Sequence, residues 1–421
     1  MTAAAEPGPA PSPALRPPPG NPRFPLFDSL RAIAALFVVT CHVVGVAGAS
    51  TTSWGRFFYQ LFSGLSIFFV ISGFLLYRPY VAARAGGARA PRPSEFARRR
   101  VLRIVPGYWF ALTILALWPG TPYVAGPLTH HWWQFYGFGQ IYTTNTIIAG
   151  IGPAWSLCVE ATFYALLPLY ALCAGRLSRR FGLIRGELVP LLAIAFASLI
   201  VRFVATTNLQ LPLRVSLASN VFLFAIGMAL AVISVAVHGR DMDVRAIRWP
   251  ALHPGLCWAA AAGCLAVAAM RFPTYNPGGT AWRWSAHLMA NDLLGALAAL
   301  LIVFPAVFGQ DRGGLPRRIL ATRALTWVGV VSYGLYLWHY PLLFWLGGIG
   351  HVPVARAPIT WLFDATPGSV TLAVMLGACG LALSLAAAAF SYYLVELPFL
   401  RMKELRWRPR DEAKPAVVPA G

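Results

Sequence analysis

Apolar runs of about 20 residues, separated by short stretches that hold most of the charge, recur along the whole chain. A hydrocarbon core about 30 Å thick takes about 20 such residues per helix, so the pattern predicts membrane-spanning α-helices. Ten emerge, over 27–46, 56–77, 100–118, 153–174, 187–206, 214–237, 252–270, 285–308, 324–346 and 369–394. A transmembrane β-barrel would alternate apolar and polar positions in segments of about ten, and these runs are too long and too uniform for that. The expectation is an all-α, polytopic integral membrane protein with about ten transmembrane helices.

Composition sharpens the picture. Of 421 residues, 58% are hydrophobic and 11% charged, against about 25% charged in an average soluble domain. A water-soluble fold could not hide that much apolar surface. The net charge of +20 would point to nucleic acid in a soluble protein, but here its distribution has another cause. With the N-terminus in the cytoplasm, the basic clusters within 78–103, 176–185, 240–248, 312–323 and 401–414 all lie inside. Arg56, Arg214, Arg271, Arg283 and Arg356 remain outside. This asymmetry follows the positive-inside rule and supports ten spans with both termini cytoplasmic. It leaves no need for a nucleic-acid partner.

Residues 1–26 are rich in Pro and Ala with no apolar core, which predicts a disordered cytoplasmic tail rather than a cleaved signal peptide. Residues 27–400 then form one transmembrane domain, and 401–421 a basic cytoplasmic tail. Two connections are longer than the rest, an Arg-, Ala- and Gly-rich one over 78–99 and an external one over 119–152. The second carries Tyr123, His130, His131, Trp132, Trp133, Phe135, Tyr136, Phe138 and Tyr142. These aromatics read either as an interfacial belt or as a surface for a sugar or other ring-bearing ligand. The cysteines Cys41, Cys158, Cys173, Cys257, Cys264 and Cys379 show no CxxC or Cys/His metal spacing and read as buried free thiols. Neither an internal repeat nor an inverted pair of broken helices suggests a common transporter architecture.

Ionisable groups inside a membrane cost at least about 2.5 kcal/mol on insertion scales, so each one is a candidate for function. In the first span Arg31 and His42 stand eleven residues apart, close to three turns, so they share a face and are displaced by roughly 16 Å along the axis. Arg31 reads as a snorkelling interfacial side chain or as a ligand group. A neutral His42 has the profile of a general base. The second span contains Ser72, Gly73 and Phe74, where glycine permits close backbone approach. The third opens on FARRRVLRIVP; its Arg99, Arg100 and Arg103 serve either positive-inside retention or phosphate binding through bidentate hydrogen bonds. Glu160 in the fourth span and His339 in the ninth fall in the same outer half as His42, where the three would line one polar cavity. Arg202 and Asp292 are further intramembrane charges, each able to pair with another helix. At Glu396 and Pro398 a helix stop is the ordinary explanation.

Together these stretches resemble the acyltransferase family 3 membrane proteins, which acylate hydroxyls of cell-surface polysaccharides, peptidoglycan and some antibiotics. The resemblance rests on Arg31 and His42 at the family's spacing, Ser72 to Phe74, and the basic motif of Phe96, Arg99, Arg100, Arg103, Ile104 and Pro106. Trp155, Ser156, Leu157, Glu160, Phe163 and Tyr164 match a further motif. So do Ser332, Tyr333, Tyr336, Leu337, His339 and Pro341, with Glu396 and Pro398 closing the pattern. It implies transfer from a cytoplasmic acyl-CoA, which is consumed as the donor, with acetyl as the expected acyl group.

 The donor is thus a substrate, and no permanently bound cofactor is expected. The resemblance further implies a hydroxylated glycan, glycolipid or natural-product acceptor, and residence in the inner (cytoplasmic) membrane. It makes His42, Glu160 and His339 the catalytic candidates. Arg31, Ser72, Gly73, Phe74, Arg99, Arg100 and Arg103 become the candidates for holding acyl-CoA. The extracellular esterase-type domain that many members carry has no counterpart in this sequence. The expectation is therefore that the membrane domain completes the transfer or hands the acyl group to a separate extracellular partner. A macrolide-tailoring acyltransferase and a transporter of a lipid-linked or acylated molecule are the competing readings.

Overall fold

The computed structural model describes Phe24 and residues 26–86, 90–117, 130–147, 149–240, 245–272, 281–308, 313–347 and 366–402, the side chains of 238–240 aside. The two predicted tails, apart from Phe24, Leu26, Arg401 and Met402, lie outside the described residues, as do Tyr123 and Arg356. Eleven helices build the bundle. They are α1 (Leu26–Val46), α2 (Gly64–Arg84), α3 (Pro93–Leu117), α4 (Trp155–Phe181), α5 (Leu183–Thr207), α6 (Leu217–Arg240), α7 (Pro254–Arg271), α8 (Ala281–Val307), α9 (Arg323–Val330), α10 (Ser332–Gly347) and α11 (Val370–Ser391). No strand occurs among the described residues.

Nine of these, α1 to α8 and α11, are long and apolar enough to cross a membrane. The ninth predicted span, 324–346, forms as α9 and α10, broken at Val331, where the Ser332 hydroxyl donates to the Gly329 carbonyl at 2.7 Å. Several helices also outrun their apolar cores. α2 continues to Arg84 and α3 begins at Pro93, because Ala and Arg favour helix and a long Arg stem lets its charge leave the apolar layer. Most of the 78–99 connection is therefore helical, with 87–89 outside the described residues. The helix stop read at Glu396 does not occur. α11 passes through a π-helical turn, Tyr392–Glu396, into a last helix, Leu397–Met402, which contains Pro398.

α1 occupies the middle, packed by α2, α9, α10 and α11. α2 is clamped in turn against α6, where Cβ atoms on Gly73 and Gly227 would collide with the Phe224 and Val70 carbonyls. Small residues let two backbones touch in this way, which matters in lipid because no hydrophobic effect drives helices together there. Phe74 seals the same region, stacked on Phe27 with ring centroids 5.1 Å apart. On the outside, α5 presents Val189, Leu192, Phe196, Ile200 and Val204 as an exposed apolar stripe, as expected of a lipid-facing helix. Cys41, Cys158 and Cys257 are buried thiols, but Cys173 and Cys379 lie on exposed helix faces, a correction to the expectation that all would be buried. A thiol is apolar enough to face lipid.

One further buried charge opens the predicted span 187–206. Glu187 is fully enclosed and accepts from Tyr77 and Arg84 of α2 and from Ser178 of α4, so it ties three helices together. Gly227→Val should cost about 1–3 kcal/mol by overpacking the α2–α6 seam, read as a lower midpoint in a detergent thermal melt. Gly263→Ala, whose added Cβ meets nothing within 4 Å, should leave that midpoint unchanged.

Candidate active site

The last turn of α1 carries His42 and the middle of α10 carries His339, and the two imidazoles meet. His339 Nε2 lies 3.0 Å from His42 Nδ1, and His339 Nδ1 lies 3.1 Å from the carbonyl of Leu335 in its own helix. A carbonyl only accepts, so the His339 proton is on Nδ1 and its Nε2 is an acceptor. For a neutral pair the proton between the rings then belongs to His42 Nδ1. This leaves His42 Nε2 as the nitrogen with a free lone pair, the form a general base requires. His339 is fully buried, and Tyr340 meets the His42 ring edge-on with centroids 4.8 Å apart.

Polar groups continue from this pair toward the start of α1. Tyr336, one turn before His339, donates to the Pro153 carbonyl and lies 2.7 Å from the Ser156 hydroxyl. One turn along α4 from Ser156, Glu160 accepts from Ser72 at 2.6 Å and from Tyr164 at 3.0 Å. Arg31 and Arg100 are within electrostatic reach of this carboxylate. Arg100 also lies over the rings of Phe96 and Tyr164, at 5.9 and 5.8 Å, and its Nε is buried without a hydrogen-bond partner. Arg31 is bonded to Asp28 at 2.9 Å and faces Arg103 and Arg100. Arg103 faces Glu396 across the π turn, and Gly107 leaves the space in which the Glu396 side chain packs on α3.

The sequence candidates therefore separate into groups. His42 and His339 are in contact, and Glu160 is bonded to Ser72 and Tyr164 within electrostatic reach of Arg31 and Arg100. Arg31, Arg100 and Arg103 converge. Arg99 does not join them: it is half exposed and paired with Glu95 on its own helix. Gly73 and Phe74 sit in the α2 packing seams, and only Ser72 of that trio reaches the polar column. Arg202 and Asp292 are bonded to each other at 2.6 Å. Tyr336, Ser156 and Tyr164 had no role assigned from sequence, although each is one helical turn from a candidate residue: Tyr336 from His339, and the other two from Glu160.

The chain is similar to several known proteins. The peptidoglycan O-acetyltransferase OatA of Listeria monocytogenes is 21% identical over 331 residues, covering 76% of this chain and 49% of that protein. The putative peptidoglycan O-acetyltransferase YrhL of Bacillus subtilis is 23% identical over 335 residues, 76% of this chain and 48% of that protein. The chain thus spans about half the length of these relatives. Nodulation protein 10 of Rhizobium leguminosarum bv. viciae is 24% identical over 402 residues, 90% of this chain and 93% of that protein. No solved structure matches. The Acyltransferase domain family matches residues 25–393, nearly the whole described bundle, and the chain belongs to that family, the acyltransferase family 3 membrane proteins.

Proposed function

We propose that the chain is a membrane O-acyltransferase that moves an acyl group, acetyl by preference, from cytoplasmic acyl-CoA to a hydroxyl of a cell-envelope glycan or glycolipid. The observation that carries the reading is the His42–His339 pair, with polar groups beside α1 and Arg31, Arg100 and Arg103 at the other end of that helix. The names of the relatives, two of them peptidoglycan O-acetyltransferases, favour a glycan acceptor. The basic clusters favour the inner membrane with the arginine end of α1 in the cytoplasm.

In this reading the donor's phosphates lie against the arginines, with the unpartnered Arg100 Nε as one donor to them. The acyl arm extends along α1 toward His42. His42 Nε2 takes the proton of the acceptor hydroxyl as its oxygen attacks the thioester carbonyl. The C–S bond then breaks, and the proton passes from His42 to the departing thiolate, giving an ester and free CoA. His339 is a positioning residue that holds the His42 proton on Nδ1 and keeps Nε2 available. Glu160 fixes Ser72 and Tyr164 and offsets the charge of Arg31 and Arg100. A separate extracellular protein that accepts the acyl group is compatible with the same chemistry.

His42→Ala should lower acceptor-dependent CoA release from acetyl-CoA by about 10²- to 10⁴-fold, the usual contribution of a general base, with protein abundance in the membrane unchanged. Full activity in that folded variant would overturn the assignment. His339→Gln should lower kcat by roughly 10²-fold with little change in KM, as for a displaced base. Arg100→Ala should raise the KM for acetyl-CoA by about 10- to 100-fold, the loss of a charged hydrogen bond worth about 1.5–3 kcal/mol. Arg99→Ala should have a much smaller effect, measured in the same titration.

A further inference from the structure

A cavity of about 380 Å³ opens among α2, α5, α6, α7 and α8, away from the polar column of α1. Its size is within the range of small-molecule sites. One wall is aromatic, with Tyr59, Phe62 and Trp155. Phe62 is shared with the histidine pair, since its ring meets His42 edge-on with centroids 6.5 Å apart. Another part of the lining is charged. Arg202 Nε and Arg214 donate to the same Asp292 oxygen at 2.6 and 3.2 Å, and Arg202 also bonds the Asn220 side chain at 2.9 Å. Among the described residues Asp292 is the only carboxylate paired with either guanidinium. Two part-buried cations thus share one anion, and an excess charge in a buried site is costly unless a ligand completes it. The Ser63 hydroxyl, which also lines the cavity, is buried without a partner.

We propose that this cavity is the acceptor subsite and takes a hydroxylated ring bearing a carboxylate or a phosphate. Arg214 binds the anionic group, Ser63 binds a ring hydroxyl, and the aromatic wall covers the ring's apolar face. The hydroxyl to be acylated projects past Phe62 to His42. The inference rests on the acyltransferase reading for its last step, but the anion site itself does not.

The test is equilibrium binding of three probes, methyl glucoside, methyl glucuronide and glucose 1-phosphate, to the full chain in detergent, with acetyl-CoA binding measured in parallel. The wild type should bind at least one anionic probe about tenfold or more tighter than the neutral one, and the preferred probe tells carboxylate from phosphate. Arg214→Gln should abolish that preference and leave acetyl-CoA binding intact, while Arg214→Lys, which keeps the charge, should retain part of it. Equal binding of charged and neutral probes, binding of none of the three up to millimolar concentration, or an unchanged preference in Arg214→Gln would each overturn the subsite without touching the acyltransferase reading. Anion preference that needs Arg214 in a protein that binds no acetyl-CoA would support the anion site and overturn the transfer reading instead.

Discussion

The bundle depends on one constraint: a polar group placed in the apolar layer must find its partners within the protein, because lipid offers none. α1 carries two such groups, Arg31 and His42, three turns apart on one face. Each has drawn a set of partners from the helices around it. His42 meets His339 of α10, and Arg31 meets Asp28, Arg100 and Arg103. Between them Tyr336, Ser156, Ser72, Glu160 and Tyr164 fill the gap with hydrogen-bonded side chains from α10, α4 and α2. A costly set of polar residues is thereby gathered beside α1.

The packing around α1 makes those contacts possible. Side-chain bonds of about 3 Å between helices require the backbones to lie close, and the glycines at the seams permit it. Gly64 faces Ala34 of α1, Gly329 brings α9 onto Asp28, and Gly334 brings α10 onto Ala388 of α11. The break at Val331 serves the same geometry, since α9 and α10 each pack on a different part of α1. Elsewhere the buried Glu187 cluster binds α2, α4 and α5 together, so the helix that carries Ser72 is anchored at its far end by charge and in its middle by the glycine seam with α6.

The two charged regions of the interior differ in kind. Around Arg31 and Arg103, guanidiniums are interleaved with carboxylates from three parts of the chain, Asp28, Glu160 and Glu396. Around Asp292, two guanidiniums converge on one carboxylate at the edge of a cavity. The first arrangement holds helix ends together as well as presenting arginines, while the second sets its charges in the lining of a cavity that also includes Phe62, the ring next to His42.

The sequence by itself determined the membrane-spanning, all-helical character of the chain, since apolar run length is a local property and bilayer thickness fixes what it means. It also determined which polar residues were out of place in lipid, and the shared face of Arg31 and His42, because helix periodicity relates residues within one element. Which of those residues touch was decided only by tertiary structure. That His42 meets His339 from a helix almost 300 positions away, that Glu160 bonds Ser72 and Tyr164 instead, and that Asp292 joins Arg202 and Arg214 all follow from helix packing, which no local pattern encodes. The same holds for Arg99 and Arg100, adjacent in one basic run, of which one turns outward to Glu95 and the other inward over Tyr164. Neighbouring residues on a helix point about 100° apart, and only the position of the surrounding helices says which direction is the interior.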